Sequence, residues 1–154
     1  PTRHSPRPCV VVGWFWFLET AAAAWSGPRA FEEACVTPAD IKYVSIYDSF
    51  TITVLLQIED LGFCEKGKGG AFVSDGNLIS GTGKLPFNTD GGGLSSNHPG
   101  MRGLFLLLEA TRQLRGQFEG TERQVPDCKL ALCHGTGGAL GSRHSGGTVI
   151  LAKD

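Results

Sequence analysis

The sequence has no excess of charge of either sign and no long hydrophobic run. Its 154 residues carry 14 basic and 15 acidic side chains, for a formal net charge of -1. Domains that bind nucleic acid or anionic lipid usually show a basic surplus, so we expect neither partner. No apolar run reaches the roughly 18 residues that a membrane-spanning helix needs, so we expect no membrane segment.

The sequence also lacks the cysteine and histidine spacings of common metal sites. Five cysteines are present, and no Cys-x-x-Cys or His-x-x-x-His motif occurs. A disulfide framework and a zinc site with paired ligands are therefore disfavoured. We expect reduced thiols, a cytoplasmic location and no bound metal.

Glycine is the residue present in excess, with 22 copies. That is about twice the usual share and indicates many tight turns or backbone that lies close to a ligand. The length suits a single domain, and 41% apolar residues suffice for a core. All three tryptophans lie in the first 25 residues. We therefore divide the chain into an N-terminal segment, 1–25, and a domain, 26–154.

The N-terminal segment has two interpretations. Arg3, His4 and Arg7 precede an apolar run, which is the outline of a signal peptide. The run at residues 9–17 also fits a buried strand, which we favour because nothing further along looks secreted. The first residue is Pro1 rather than Met, which is compatible with a fragment of a longer protein.

Strands and helices alternate along the rest of the chain. β-Branched and aromatic residues predict a strand at 41–47, followed by a helix at 50–61 that Gly62 ends. We also predict a helix at 28–35 that begins at Pro28, an irregular stretch at 64–97 with a short strand at 71–73, a helix at 99–115, strands at 129–133 and 148–152, and a glycine-rich loop at 135–147. The spacing in the helix at 99–115 places Leu104, Leu107, Leu108, Thr111 and Leu114 on one face of the helix. This order predicts an α/β domain with a mixed sheet and helices packed on it.

Three polar loops follow predicted strands or precede a predicted helix. Ligands of α/β sheets bind at the carboxyl ends of strands. The loops are Tyr47-Asp48-Ser49, Ser96-Asn97-His98 and the segment from His134 to Gly138.

His98 is the strongest candidate for a catalytic base. It stands just before a helix whose first turn offers free N–H groups, and this position lowers the pKa of an imidazole and keeps it neutral. Three glycines at 91–93 indicate backbone that lies against a ligand. The competing interpretation is a histidine that only caps the helix.

Tyr47 and Asp48 each have a structural and a functional interpretation. Asp48 fits an ordinary N-cap of the helix at 50–61, or it orients a water molecule or a partner histidine. Tyr47 either donates a proton or packs in the core.

The glycine-rich segment from Gly135 is a weak nucleotide-binding signal. Leu140 stands where the third glycine of G-x-G-x-x-G belongs, and a strand rather than a helix follows. The loop can still present N–H groups to a carbonyl oxygen or a phosphate. A nucleophilic pair of Cys133 and His134 is disfavoured, because neighbours in a strand point to opposite faces.

Taken in order, these motifs resemble the C-terminal half of the thiolase superfamily. The motifs are a buried strand, a D-x-F turn into a helix, G-G-x-x-x-x-H-P before a helix, and G-x-G-G between two strands. The phrases Ile46-Tyr47-Asp48-Ser49-Phe50 and 91–100 are most similar to the sterol-carrier or lipid-transfer-protein branch. The resemblance covers residues 26–154.

The resemblance implies a site for acyl-CoA thioesters. It places the family's base at His98 and the motif that binds the thioester oxygen or a catalytic water at Tyr47-Asp48-Ser49-Phe50. It implies catalytic roles for His98, Asp48 and Tyr47, and substrate contacts by Gly135, Gly137, Gly138, Ser49 and Asn97. Coenzyme A enters as part of the substrate, with no separate cofactor, and a homo-oligomer or a partner subunit is implied.

Two departures from the family pattern limit the predicted activity. The family's N-terminal half, which holds the nucleophilic cysteine, has no counterpart here, and Gly135 stands where the second cysteine acts as acid and base. We therefore expect no thiolase turnover from this chain alone. One alternative is a retro-aldol lyase domain, which needs a base and an oxyanion site but no thiolate. A second is a non-catalytic subunit that binds CoA esters or completes a complex. A third is a truncated gene product without activity.

Overall fold

The computed structural model describes residues 20–80, 82–96, 102–137 and 145–153. Within these ranges the elements are α1 (Ala23–Ala34), a 3-10 turn (Pro38–Asp40), β1 (Tyr43–Ile46), α2 (Thr51–Asp60), α3 (Gly69–Ser74), α4 (Gly92–Ser95), α5 (Arg102–Leu114), β2 (Leu130–Gly137) and β3 (Ser145–Ala152). The predicted strand at 9–17 lies outside the described residues, and the division near residue 25 stays a prediction. No helix in the described ranges is long and apolar enough to cross a bilayer.

The strands form one mixed sheet in the order β1-β2-β3. β1 runs parallel to β2, with Ile46 opposite His134, and β2 runs antiparallel to β3, with His134 opposite Thr148. Val44 also makes a parallel bridge to Phe87. The predicted mixed sheet is therefore confirmed, and the parallel pair brings the carboxyl ends of β1 and β2 side by side.

Helices cover both faces of the sheet, because successive strand residues point to opposite sides. The cluster on one face joins the strands to α1 and α2 through Val44, Ile46, Leu132, Phe31 and Ile58. The cluster on the other face joins them to α5 through Tyr43, Ala131, Cys133, Leu106 and Ala110. The result is a helix–sheet–helix sandwich in which each face of the sheet has its own apolar core.

Two of the predicted elements are confirmed with small changes in their bounds. The strand predicted at 41–47 is β1, and the helix predicted at 50–61 is α2. Gly62 follows α2 with φ +80°, a conformation that glycine adopts without strain. These two elements place the Tyr47-Asp48-Ser49 loop between a buried strand and a helix.

Two predictions about the first half of the domain are wrong. Residues 71–73 belong to helix α3 and not to a strand. Helix α1 begins at Ala23, so Pro28 lies inside it rather than at its first position. Ala23 and Phe31, on either side of the proline, both pack in the core, and tertiary packing of this kind overrides local helix propensity.

The face predicted for α5 is only partly buried: Leu114 is buried and Leu107 packs against the core. Leu104 and Leu108 are 55% and 45% exposed. The buried stripe of the helix consists of Arg102, Leu106, Glu109, Ala110, Gln113 and Leu114. Its polar members are buried with partners: Arg123 forms two hydrogen bonds with the Glu109 carboxylate, at 3.0 and 2.6 Å, and the Val125 N–H donates to Gln113 at 2.9 Å.

The glycine-rich loop predicted at 135–147 is shorter than expected. β2 continues to Gly137, and β3 begins at Ser145. Gly135 pairs with Gly147, and Gly137 pairs with Ser145. Backbone hydrogen bonds between strands need no side chains, so glycines can continue both strands of the hairpin. The high glycine content of this segment had instead predicted a loop.

Candidate active site

The carboxyl ends of β1 and β2 bring two of the predicted loops together. The Tyr47 N–H donates to the His134 carbonyl at 2.9 Å, which ties the start of the first loop to β2. The Gln57 side chain of α2 donates to the Tyr47 carbonyl at 3.4 Å. The backbone at Tyr47 is thus held from both sides, where Asp48 and Ser49 follow.

Asp48 is buried and holds the glycine loop that precedes His98 in the sequence. Its two carboxylate oxygens accept hydrogen bonds from the Gly93 and Leu94 N–H groups, at 2.7 and 3.1 Å. These donors lie in the first turn of α4 and have no partner within that helix. The interpretation of Asp48 as the N-cap of α2 is wrong, because Phe50 takes that position without a side-chain cap.

The glycines at 91–93 accommodate this carboxylate. Gly92 has φ +71°, and a Cβ atom on it would overlap the Asp48 carboxylate. A non-glycine residue would therefore be strained twice, by its backbone conformation and by the contact. The close approach that the three glycines predicted is an approach to Asp48.

The buried Arg102 forms an ion pair with the partly buried Asp90 beside this loop. Arg102 is 4% exposed, and its Nη2 lies 2.8 Å from Oδ2 of Asp90. Oδ1 of Asp90 also accepts the Gly92 N–H at 3.0 Å. Sequence reasoning missed both residues. Arg102 lies four residues before Leu106 on the buried side of α5, but the leucine spacing alone does not show which side is buried.

A cleft of about 360 Å³ opens at this end of the sheet. Its walls are Tyr47, Arg102, Gly103, Gly135, Thr136, Gly137, Ser145 and Gly146. It therefore gathers three of the predicted site residues, Tyr47, Gly135 and Gly137. A larger hollow of about 660 Å³ lies at the other end of β2, against Cys128 and Lys129, and none of the predicted site residues lines it.

Ser49 lies outside the walls of the cleft. It is buried, and its hydroxyl donates to Oγ1 of Thr53 at 3.3 Å. The predicted residues His98, Asn97 and Gly138 lie outside the described part of the chain. Their roles stay predictions.

Cys133 and His134 face opposite sides of the sheet. The Cys133 thiol donates to the Leu106 carbonyl at 3.5 Å, and burial raises its pKa to about 12. The His134 ring is within 2.8 Å of the Thr148 hydroxyl on the other face, and burial lowers its pKa to about 4. The two side chains cannot act as a nucleophile and its base.

Comparison with known proteins identifies the family of this domain. The family model described as thiolase C-terminal domain-like matches residues 16–153. The chain belongs to the thiolase C-terminal domain-like family. The resemblance inferred from the motifs is therefore confirmed.

Individual relatives of this thiolase C-terminal domain are much longer proteins. It is 40% identical over 115 residues to an acetyl-CoA acetyltransferase of Methanothermobacter thermautotrophicus, covering 74% of this chain and 29% of that protein. It is 44% identical over 114 residues to sterol carrier protein 2 of Oryctolagus cuniculus, covering 72% and 20% respectively. The solved Ltp2-ChsH2(DUF35) aldolase superposes with a TM-score of 0.71 at 33% identity, covering 85% of this chain and 32% of that one.

Proposed function

We propose that this chain is the C-terminal domain of a thiolase-like enzyme that forms or cleaves carbon–carbon bonds in acyl-CoA thioesters. The observation that carries the proposal is the cleft at the carboxyl ends of β1 and β2. Its lining includes Tyr47 and glycine backbone from both strands of the hairpin. Ligands of α/β domains bind at this end of the sheet.

The proposed roles follow the order of the two loops. His98 acts as the base, and Asp48 positions the glycine loop that leads to it. Tyr47 contacts the reacting part of the substrate, and Gly135, Gly137 and Gly138 let the thioester lie against the backbone. Coenzyme A enters only as part of the substrate, and we propose no other cofactor.

The rest of the enzyme is proposed to come from another polypeptide segment or subunit. The chain spans 29% and 20% of the length of the two curated relatives described above. A partner subunit or a preceding half would supply the nucleophilic cysteine of a thiolase. Without it, we propose that the domain lacks thiolase turnover, and that it works in the cytoplasm.

A retro-aldol lyase is the second candidate, and the chemistry of Cys133 favours it. Gly135 stands at the position of the family's second cysteine, and Cys133 is buried with a pKa of about 12. A thiolate acid–base group at this strand is thus missing from the described residues. In a retro-aldol cleavage the base removes the β-hydroxyl proton, the Cα–Cβ bond breaks, and its electrons form the thioester enolate, which is then protonated. The relation to a solved aldolase is consistent with this reaction.

The proposal is tested by filling the cleft. Gly137→Val places a branched side chain in the cleft wall, whereas Gly147→Val adds the same group outside the wall, where nothing lies within 4 Å of an added Cβ. We expect saturation-transfer NMR to show that the wild type and Gly147→Val bind acetoacetyl-CoA and that Gly137→Val binds at least about tenfold more weakly, a loss of about 1.4 kcal/mol. Equal binding by the two variants would place the ligand elsewhere, and no binding by the wild type would refute the proposal for this chain.

A further inference from the structure

Strand β3 forms one border of the described sheet. The strands follow the order β1-β2-β3, so β3 pairs with β2 on one side and with no strand of the described residues on the other. The opposite border is covered, because the Val44 N–H of β1 donates to the Pro86 carbonyl at 3.0 Å. The Asn88 N–H donates to the Val44 carbonyl at 3.1 Å. Within the described part of the chain, the open border of the sheet is therefore β3.

The backbone of β3 has a row of groups that point away from β2. The Lys153 N–H donates to the Lys129 carbonyl at 2.9 Å, which makes these residues a hydrogen-bonded pair at the end of the hairpin. In antiparallel strands, hydrogen-bonded and non-hydrogen-bonded pairs alternate. Counted back from Lys153, the outward N–H groups belong to alternate residues, Gly146, Thr148, Ile150 and Ala152. A row of outward backbone donors and acceptors is a template for another strand.

β3 lacks the features that usually prevent pairing at an edge. Proteins protect exposed edges with charged side chains, with prolines or by keeping the edge strand very short. β3 has 8 residues, Ser145–Ala152, none of which is charged or a proline. Its apolar side chains are partly open to solvent, and Val149 is 43% exposed. This edge is therefore suited to being covered by another strand.

The start of α1 places the preceding segment of the chain beside β3. A Cβ atom on Gly146 would lie 2.8 Å from the Cβ atom of Ala22. The Ser26 hydroxyl lies 2.8 Å from the Thr148 hydroxyl. The chain thus enters α1 next to the first residues of β3, and residues 1–19 connect to the domain at this point.

Residues 9–17 have the composition of a strand that fits this edge. They read Cys-Val-Val-Val-Gly-Trp-Phe-Trp-Phe, without a charged residue, and β-branched and aromatic side chains predominate. The length of this run matches that of β3, which has 8 residues. Residues 18–22 would then connect the strand to α1, and connections of about 2–6 residues are usual between a strand and a helix. A strand that ends at the start of β3 runs antiparallel to it.

We propose that residues 9–17 pair with the outer edge of β3 as an additional antiparallel strand. The partner of the edge is thus a segment of this same chain. The pairing would cover the outward N–H groups of β3 and would end beside Ser145 and Gly146, which line the cleft. The inference goes beyond the proposed function and does not depend on it, because it concerns how the sheet is completed.

Amide hydrogen exchange of the 154-residue chain tests the pairing. In the wild type at low protein concentration, the outward N–H of Ile150 should exchange slowly, because a paired N–H exchanges only after local opening. The double substitution Val11→Pro and Val12→Pro removes the donor at whichever of the two positions faces β3. We expect it to speed exchange at Ile150 by at least about tenfold. The matched control, His4→Pro and Ser5→Pro, lies outside the proposed strand and should leave this rate unchanged.

A cross-link tests the direction of the strand without these variants. An antiparallel strand brings Cys9 to the end of β3, near Ala152, whereas a parallel strand would bring it near Ser145. Disulfides form only between residues whose Cα atoms are within about 7 Å. Oxidation of Ala152→Cys should therefore link the introduced thiol to Cys9, as peptide mass spectrometry will show, and oxidation of Ser145→Cys should not. The reverse result would overturn the antiparallel arrangement.

The other outcomes of the exchange experiment contradict the proposal in distinguishable ways. Fast exchange at Ile150 in the wild type would show that no strand covers the edge. Protection that rises with protein concentration and survives the double substitution would show that a second copy covers it. Protection that is independent of concentration and survives the substitution would assign the edge to another segment, such as 97–101 or 138–144. None of these measurements uses an acyl-CoA ligand, so they leave the proposed function untouched.

Discussion

At the scale of the single residue, His134 makes the stability of the domain depend on pH. Its side chain is buried on the α1 side of the sheet, next to the Thr148 hydroxyl, which in turn lies 2.8 Å from the Ser26 hydroxyl. The Nε2 atom has no hydrogen-bond partner among the described residues. No carboxylate contact with the ring is found in these residues, so the protonated form gains nothing there to offset its burial.

We expect the free energy of unfolding to fall as the pH falls from about 6.5 to 4. Burial lowers the pKa of His134 from 6.5 to about 4, so the unfolded chain binds a proton in this range and the folded chain does not. The contribution of the neutral His134 ring to the free energy of unfolding is fully present above pH 6.5. It decreases by roughly 3 kcal/mol as the pH falls to 4. Urea unfolding at several pH values measures it, and His134→Asn should flatten that part of the profile. An unchanged slope in the variant would assign the effect to other groups.

At the scale of the element, α5 has two leucine-bearing faces that differ in burial. Leu106 is 1% exposed and packs against β2, whereas Leu108 is 45% exposed. The inward face also carries Glu109 and Gln113, whose partners Arg123 and Val125 lie after the helix in the sequence. The helix is therefore oriented by its polar side chains as well as by its apolar ones.

This orientation predicts unequal costs for two identical truncations. Leu106→Ala should lower the free energy of unfolding by about 3 kcal/mol, because it removes a buried side chain and leaves a cavity. Leu108→Ala should lower it by less than about 1 kcal/mol, because half-exposed leucines lose little apolar contact. Chemical denaturation of the two variants makes the comparison. A larger loss for Leu108→Ala would restore the face predicted from leucine spacing.

The spacing of apolar residues explains why some elements could be predicted and this face could not. β1 and α2 follow from a run of β-branched residues and a helical stripe that Gly62 ends, which are local signals. In α5, leucines and a phenylalanine occupy most of the surface, so the period alone allows two faces. The choice depends on Glu109 and Arg123, 14 residues apart, and a sequence does not reveal such a pairing.

The residues of the candidate site could also be predicted only where the sequence signal is local. Tyr47, Gly135 and Gly137 could be predicted because each stands at the carboxyl end of a predicted strand, where ligands of α/β sheets bind. Asp48 was predicted as a cap of α2 but binds the backbone of α4, because its partners Gly93 and Leu94 lie more than 40 residues away in the sequence. Arg102 was missed because a charged residue at a helix start is normally exposed.

At the scale of the whole molecule, the outer face of α5 exposes a group of apolar side chains. This face consists of Leu104, Phe105 and Leu108, which are 55%, 46% and 45% exposed and lie on adjacent turns. Phe50 and Ile52 at the start of α2 are also more than half exposed. Contiguous apolar surface of this kind marks contact with another protein surface or a tendency to aggregate.

We expect the isolated chain to self-associate, because this surface is open to solvent. Sedimentation velocity should show a sedimentation coefficient that rises with concentration. The double substitution Leu104→Lys and Leu108→Lys should reduce association, whereas Ile79→Lys, at a 58% exposed residue outside α5 and α2, should not. A clean monomer at high concentration would contradict the prediction, and an equal effect of Ile79→Lys would mean that added charge alone is responsible.

The contact between Asp48 and Gly92 also restricts the order in which mutations can accumulate. A side chain at position 92 would collide with the Asp48 carboxylate and would hold a backbone conformation with φ +71°. Loss of the carboxylate first would leave the N–H groups of Gly93 and Leu94 without their acceptor. Either single mutation is therefore destabilising, and we expect positions 48 and 92 to change together in evolution. Transplanting only one of the two loops into a relative with different residues at these positions should prevent folding, whereas transplanting both loops should not.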